Sequence, residues 1–256
     1  MILYTVEGRI GKIILNRPEK FNTFNRQMSL SLQEAILECS SNENVRAVYI
    51  SAAGKAFSAG QDLSEAMSPD GPGIEKIVTE HYNPIILGIR KLEKPVVCAV
   101  NGVAAGAGAN IALACDIVVA GKSSAFIQAF SKIGLVPDSG GTFFLPRLIG
   151  LQRATSLMML GDKISADEAQ QMGMIYKVFD DGELEKESWK IAVILSEMPT
   201  LGLGLTKKLL NKSLYNSLEE QLKEEGKLQT LAGATSDFKE GVKAFLEKRK
   251  AVFTGK

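Results

Sequence analysis

PVVCAVNGVAAGAGANIALACDIVVAGKSSAFIQAFSKIGLVPDSGGT, residues Pro95 to Thr142, is the stretch from which the rest of the chain is read. It opens on an apolar run after Pro95 that is too short to cross a membrane. A segment of small residues follows, Val103 to Ala109, holding Gly106 and Gly108. An apolar helical pattern at Ile111 to Cys115 leads into a second strand-like run, Ile117 to Ala120. A further loop, Gly134 to Gly141, carries a single acid, Asp138. The glycine turn reads as a place where backbone N–H groups meet a developing negative charge, with Asp138 as a proton carrier beside it.

Upstream, Ile2–Val6 and Ile10–Leu15 alternate as two short strands about a Glu7-Gly8 turn, and Pro18 ends the second. Met28, Leu32, Ala35, Ile36 and Cys39 share one face of a helix expected from about Gln27 to Cys39. Val45–Ser51 reads as a buried strand, and AAGKAFSAGQDL, Ala52 to Leu63, as a glycine-containing loop. Ser64–Gly73 is polar, rich in Pro and Gly, and expected to be mobile, while Ile74–Arg90 is helical with a kink at Pro84.

Downstream, helical turns over Gly140–Leu160 are expected to break at Pro146 and Gly150. Ser165-Ala166-Asp167-Glu168 is a capping box. Ile175–Phe179 is the last strand, and from Leu184 the pattern is helical throughout, ending in a helix over Asp237–Lys250. Strands alternating with helices predict an α/β fold with a largely parallel sheet covered by helices.

The formal charge is +1, from 30 Lys and Arg against 29 Asp and Glu, which argues against a general nucleic-acid surface. Cys39, Cys98 and Cys115 are odd in number and widely spaced, so neither a zinc site nor a disulfide framework is expected. With no long apolar span and no signal peptide, the expectation is a reduced, cytoplasmic protein.

Nucleotide and nucleophile motifs fail on inspection. The third glycine of a dinucleotide fingerprint would fall on Ile111, and the first glycine of a phosphate loop on Asp116. A serine elbow around Ser139 begins on Pro137 instead of glycine. The single histidine, His81, cannot furnish a metal cluster and is read as a surface or packing residue.

FSAGQDL (57–63), PVVCAVNGVAAGAG (95–108), ACDIVVA (114–120), LVPDSGGTFFLPRLIG (135–150) and EGVKAFLEKRKAVFTGK at the end together resemble the enoyl-CoA hydratase/isomerase, or crotonase, family. The resemblance covers essentially the whole chain. It implies a spiral of repeated ββα units at 1–195, with the active site, and a C-terminal helical trimerisation region at 196–256. It further implies trimers or hexamers and an acyl-CoA thioester substrate, with no cofactor beyond the CoA that belongs to that substrate.

Residue by residue, the resemblance implies an oxyanion hole from the backbone N–H groups of Gln61 and Ala107, with Gly106 in the turn. CoA contacts are implied for Arg17, Ala59, Asp62, Leu63, Phe245 and Lys248, the last two toward a neighbouring subunit. Asp62 is read more as a fold-back onto loop amides than as a second acid. The two glutamates that hold water in family hydratases fall on Asn110 and Phe130, both in the pocket, so no acid pair remains for hydration. An acid stands instead at Asp138, where some isomerase branches place theirs, within an apolar setting of Phe130, Ile133, Leu135 and Val136. A helix N-cap is the competing reading of Asp138.

Among branches, the sequence is most similar to bacterial phenylacetate-degradation isomerases of 1,2-epoxyphenylacetyl-CoA. That implies conversion of the ring epoxide to an oxepin thioester and C3-to-C2 double-bond shifts. A general Δ3,Δ2-enoyl-CoA isomerase, a hydratase and a non-catalytic acyl-CoA-binding homologue are the alternatives, in that order.

Overall fold

The structure, a computed structural model, describes residues 1–256. Ten strands run in chain order: β1 Ile2–Glu7, β2 Ile10–Leu15, β3 Ala47–Ala52, β4 Ala56–Ser58, β5 Val96–Val100, β6 Val103–Ala105, β7 Ile117–Gly121, β8 Ala125–Ile127, β9 Lys163–Ser165 and β10 Lys177–Phe179. The helices of the first half are α1 Arg26–Ser41, α2 Leu63–Ala66, α3 Gly73–Lys76, α4 Asn83–Lys91 and α5 Ala107–Leu113. Those of the second are α6 Gly141–Ile149, α7 Leu151–Leu160, α8 Ala166–Gln171, α9 Leu184–Glu197, α10 Thr200–Ser213, α11 Leu218–Gly233 and α12 Ser236–Leu246.

The strands form two sheets, ordered β1-β2-β3-β5-β7-β10 and β4-β6-β8-β9. Only the β1/β2 and β8/β9 pairs are antiparallel. Successive strands alternate between the sheets: β3 then β4, β5 then β6, β7 then β8. Each such pair advances the spiral by one strand in both sheets, which is the repeated ββα architecture expected above.

The central strands of the large sheet, β3, β5 and β7, are buried on both faces, which is why they read as unbroken apolar runs. Val48, Ile50, Val96, Cys98 and Val100 belong to the main core. Tyr49, Val97, Ala99 and Val119 point the other way and are covered by Leu184 and Ala192 of α9. Tyr49 also packs edge-on against Trp189 and shares a hydrogen bond with Ser188. The three cysteines are free and buried.

The second sheet was not legible in the sequence. The loop expected at Ala52–Leu63 contains β4, and the small-residue segment divides into β6 and the start of α5. These strands have three residues each, too few for a period to show. The segment expected to be mobile contains the helical turn α2. The kink expected at Pro84 is a π-helical turn, Ile77–Tyr82, just before it.

The break expected at Pro146 is absent: α6 runs through it. Proline removes one donor, and the carbonyl that loses its partner, on Thr142, lies in the exposed first turn of the helix. The capping box at Ser165 and Glu168 is present, with Glu168 accepting the Ser165 N–H at 2.8 Å. The last helix stops at Leu246 rather than Lys250, and the tail folds back. Buried Asp237 accepts the N–H groups of Thr254 and Gly255, and Arg46 reaches the carbonyls of Phe253 and Met198.

α10 is fixed to the sheet by a charge cluster. Asp116 accepts from Lys207 (2.7 Å), Arg90 (3.0 Å) and the Val96 N–H (2.9 Å). Lys207 is buried, and burial lowers its pKa against the pull of Asp116. Asp116→Asn leaves that ammonium short of its counter-charge. Removing one partner of a fully buried pair costs about 3–5 kcal/mol, and the part-exposure of Asp116 reduces this to about 2 kcal/mol. Urea denaturation should show that loss. An unchanged midpoint would mean that the cluster does not anchor α10.

Candidate active site

The site forms where the loop after β4 meets the turn between β6 and α5. Gly60 has φ +90°, and a Cβ there would lie 3.0 Å from the Ala105 carbonyl oxygen and 3.7 Å from the Ala107 nitrogen. The two backbones therefore touch with no room for a side chain between them. Gly108 faces Ser58 as closely: its Cβ would fall 2.7 Å from the Ser58 carbonyl oxygen. Gly106, φ +51° and ψ −126°, is in a region L residues avoid.

The direction of the Gln61 N–H follows from strand alternation. Phe24 donates to the Gly60 carbonyl (2.7 Å), and Asp62 donates to the Phe24 carbonyl (2.8 Å). Gln61, between them, turns its own N–H away from Phe24. That N–H has no acceptor within the chain. Ala107 is the first residue of α5, with Gly106 as its cap, and its N–H is equally unpaired because a first-turn donor has no intrahelical partner. Two free donors from adjacent backbones suit an oxygen that gains charge during a reaction.

Polar side chains hold this frame. Buried Asn22 donates to the carbonyls of Ala53 and Ala56, both at 2.8 Å, and accepts the Arg17 N–H at 2.7 Å. Ser58 donates to the Asn22 carbonyl and accepts the Gly60 N–H. Arg17 pairs with Asp62 at 2.7 Å. Asp62 accepts the Ser64 N–H and so caps α2; Arg17 and the loop amides hold its carboxyl below the usual range against a desolvation that pushes it up. In this chain Arg17 and Asp62 thus spend their charge on each other. Ala59 and Leu63 stay exposed at the loop's edge.

Tyr82 was not singled out in the sequence. Fully buried on the π-helical turn, it donates to the Gln61 side-chain oxygen at 2.6 Å and packs edge-on against Phe24. Burial, and then the charge of Asp138, raise its pKa far above the ordinary phenol value. Its neighbour His81 is buried with neither ring nitrogen paired, and burial lowers its pKa, so it is a neutral packing residue rather than a surface one.

Asp138 does not cap a helix. The cap of α6 is Gly140, without a side-chain bond, and the Asp138 carboxylate accepts only the Ser139 hydroxyl, at 2.8 Å. Desolvation raises its pKa, opposed by that one hydrogen bond. The apolar setting differs from the expected one: Ile133, Leu135 and Val136 are exposed, because the short helix Ala129–Ile133 and its left-handed end at Gly134 carry them outward. Phe130 is buried beneath the glycine turn, 3.7 Å from where a Gly106 Cβ would lie. Asn110, expected in the pocket, is fully buried behind the Asp138 loop and donates to the Asp138 carbonyl at 2.9 Å.

Phe245 and Lys248 lie apart from this cluster. Phe245 is exposed in a 600 Å³ groove lined only by residues between Pro199 and Phe253, and Lys248 follows the end of α12 with φ +53°. No group of three or more His, Cys, Asp or Glu side chains is arranged to hold a metal ion. No helix is long and apolar enough to cross a membrane.

The sequence matches the enoyl-CoA hydratase/isomerase family description over residues 5–256. It is 46% identical to 1,2-epoxyphenylacetyl-CoA isomerase of Escherichia coli K12, over 100% of this chain and 98% of that one. A Rhodobacter capsulatus protein named as a probable enoyl-CoA hydratase is 41% identical over the same shares. A crystal structure from Mycobacterium abscessus, named for the enoyl-CoA hydratase/isomerase family, superposes with a TM-score of 0.96 at 39% identity over all of both chains. The chain belongs to the enoyl-CoA hydratase/isomerase family and has the crotonase fold.

Two outcomes follow from this geometry. Tyr82→Phe releases the Gln61 side chain, and loss of one hydrogen bond of about 1 kcal/mol should lower kcat on an acyl-CoA substrate by about fivefold. A variant with wild-type kcat would show that Gln61 needs no such support. For Asp138, the folded pKa lies above the unfolded one, so the fold favours the neutral carboxyl. That contribution is complete below the ordinary carboxylate pKa of 3.8 and is lost as pH rises through the raised value. Asp138→Asn should therefore melt at a higher temperature than wild type at pH 7, with the gap closing in acid.

Proposed function

We propose that this enzyme isomerises acyl-CoA thioesters through an enolate, with Asp138 carrying the proton and the N–H groups of Gln61 and Ala107 holding the thioester oxygen. The observation that carries this reading is the pair of unpaired backbone donors together with a carboxylate whose pKa is raised by desolvation, the two linked through Tyr82, which donates to the Gln61 side chain and feels the charge of Asp138. A base with a pKa moved toward neutrality takes and returns protons more readily than an ordinary carboxylate.

For a 3-enoyl-CoA, Asp138 removes a proton from C2. The C–H electron pair becomes the C1=C2 π bond of a dienolate, and the carbonyl π pair moves onto the thioester oxygen, which takes the negative charge. Protonated Asp138 then delivers the proton to C4, the double bond settles between C2 and C3, and the carboxylate is regenerated. Nothing enters or leaves, so one acid suffices, and no cofactor takes part. Losing one oxyanion donor costs about 10²–10³ in rate in enzymes that rely on such a pair.

1,2-Epoxyphenylacetyl-CoA, with its oxepin product, is the preferred substrate in this reading, supported by the 46% identity to an isomerase named for it. Phe130 would give the ring an apolar wall. Hydration is disfavoured by Asn110 and Phe130, since neither can activate water. CoA would border Ala59, Asp62 and Leu63 near Arg17, with Phe245 and Lys248 of an adjoining subunit completing the site in a trimer or hexamer. The exposed apolar groove around Phe245 is consistent with such an assembly.

The test is a spectrophotometric assay of a 3-enoyl-CoA and of 1,2-epoxyphenylacetyl-CoA with wild type, Asp138→Asn and Phe130→Glu. Wild type should convert both, Asp138→Asn neither, and Phe130→Glu should be impaired. Wild type inert on both, or Asp138→Asn fully active, would overturn the mechanism.

A further inference from the structure

We propose that Asn110 and Gln128 form a one-way amide relay that positions Asp138, and that both are positioning residues for the reaction assigned above to that carboxylate, on which this inference rests. Asn110 is fully buried, and its Nδ2 donates to the Asp138 carbonyl oxygen at 2.9 Å. Gln128 is also buried, and its Nε2 donates to Asn110 Oδ1 at 2.8 Å.

The direction of the relay is dictated by chemistry. A backbone carbonyl only accepts, so Asn110 must turn its NH₂ toward Asp138. Its oxygen then faces Gln128, which must answer with its own NH₂. Gln128 Oε1 is left buried without a partner. An unpaired buried acceptor is costly, and the fold keeps it because the other orientation would set oxygen against oxygen along the relay.

The bond to Asp138 constrains a strained peptide. The Asp138 carbonyl also accepts the Gly141 N–H at 2.9 Å, so both of its lone pairs are engaged. Ser139, buried beside it, has φ +51°, an uncommon conformation for a residue with a Cβ. Gly141 makes the approach possible: a Cβ there would lie 2.4 Å from Asn110 Nδ2. Without the relay the 138–139 peptide is free to relax and the carboxylate to swing toward solvent. An acid at position 110 would face the carbonyl with a second acceptor, so the amide is required by the loop that carries the base.

The experiment measures kcat, KM and the pH profile of kcat on a 3-enoyl-CoA for the full-length protein. It uses Asn110→Ala, Gln128→Leu and Gln128→Glu, with Asp138→Asn as control and a thermal melt to verify folding. Asn110→Ala should lower kcat by about 10²-fold or less, the scale for displacing a catalytic group by about 1 Å, with KM little changed. Its acid limb should move to lower pH as Asp138 gains solvent. Glu at 128 only accepts once ionised, so at the alkaline end of the profile, above its burial-raised pKa, it should draw the Asn110 NH₂ away from Asp138, and there Gln128→Glu should lose more kcat than Gln128→Leu.

Should Asn110→Ala not fold, Asn110→Ser, too short to bridge, takes its place. Wild-type kcat and acid limb in the Asn110 variant, or a Gln128→Leu loss equal to or larger than that of Gln128→Glu at the alkaline end of the profile, overturn the relay. Asp138→Asn at wild-type activity overturns the assignment of the base itself. An inactive Asp138→Asn beside a wild-type-like Asn110 variant overturns only the relay.

Discussion

The contact on which the site depends is backbone against backbone, Gly60 against Ala105 and Ala107, where a Cβ on Gly60 would crowd the Ala105 carbonyl at 3.0 Å and sit at a strained φ of +90°. Side chains cannot bring two N–H donors so close, because each would need room of its own. Glycine at 60 and 108 supplies that room and glycine at 106 the backbone conformation, at a cost in chain freedom on folding. Asn22 and Ser58 bind carbonyls and amides of the same loop, and Arg17 with Asp62 closes its far side. Two unpaired N–H donors held in this way are preorganised by the fold, the arrangement that suits an oxygen gaining charge.

The two-sheet spiral explains why the contact occurs here. β4 and β6 are parallel neighbours in the small sheet, so the segments that leave them run side by side. α5 begins at the end of β6, which places its unpaired first-turn donors next to the loop from β4. The large sheet, locked on both faces, is a rigid base from which the short strands emerge. The functional segments are thus the shortest elements of the molecule, held on the most fully buried ones.

Much of this was legible in the sequence, for identifiable reasons. Long apolar strands and the helices after Leu184 have periods that run for enough residues to register, and glycine clusters announce turns. The small sheet escaped because three-residue strands of Ala, Val and Ser carry no period. The π-helical turn with Tyr82 escaped because Pro84 drew attention to itself, while the phenol's partner lies on a loop 21 residues earlier. Asp138 stood out as a lone acid in an apolar loop, yet Ile133, Leu135 and Val136 proved to face outward, since a left-handed glycine redirects the chain after Phe130. Arg17 and Asp62 were each named on the resemblance alone, and only the fold pairs them.

The acids of this site also constrain one another through the backbone. A carboxylate at 110 would meet the Asp138 carbonyl acceptor to acceptor, and one at 130 would put charge beneath the glycine turn, in the space that Phe130 now fills. A carboxylate at 110 would also put a like charge behind the loop of Asp138, whose raised pKa comes from desolvation rather than from a neighbouring charge. With an amide behind the loop and an aromatic ring beneath the turn, neither position adds a carboxylate beside Asp138, and its raised pKa is left to desolvation.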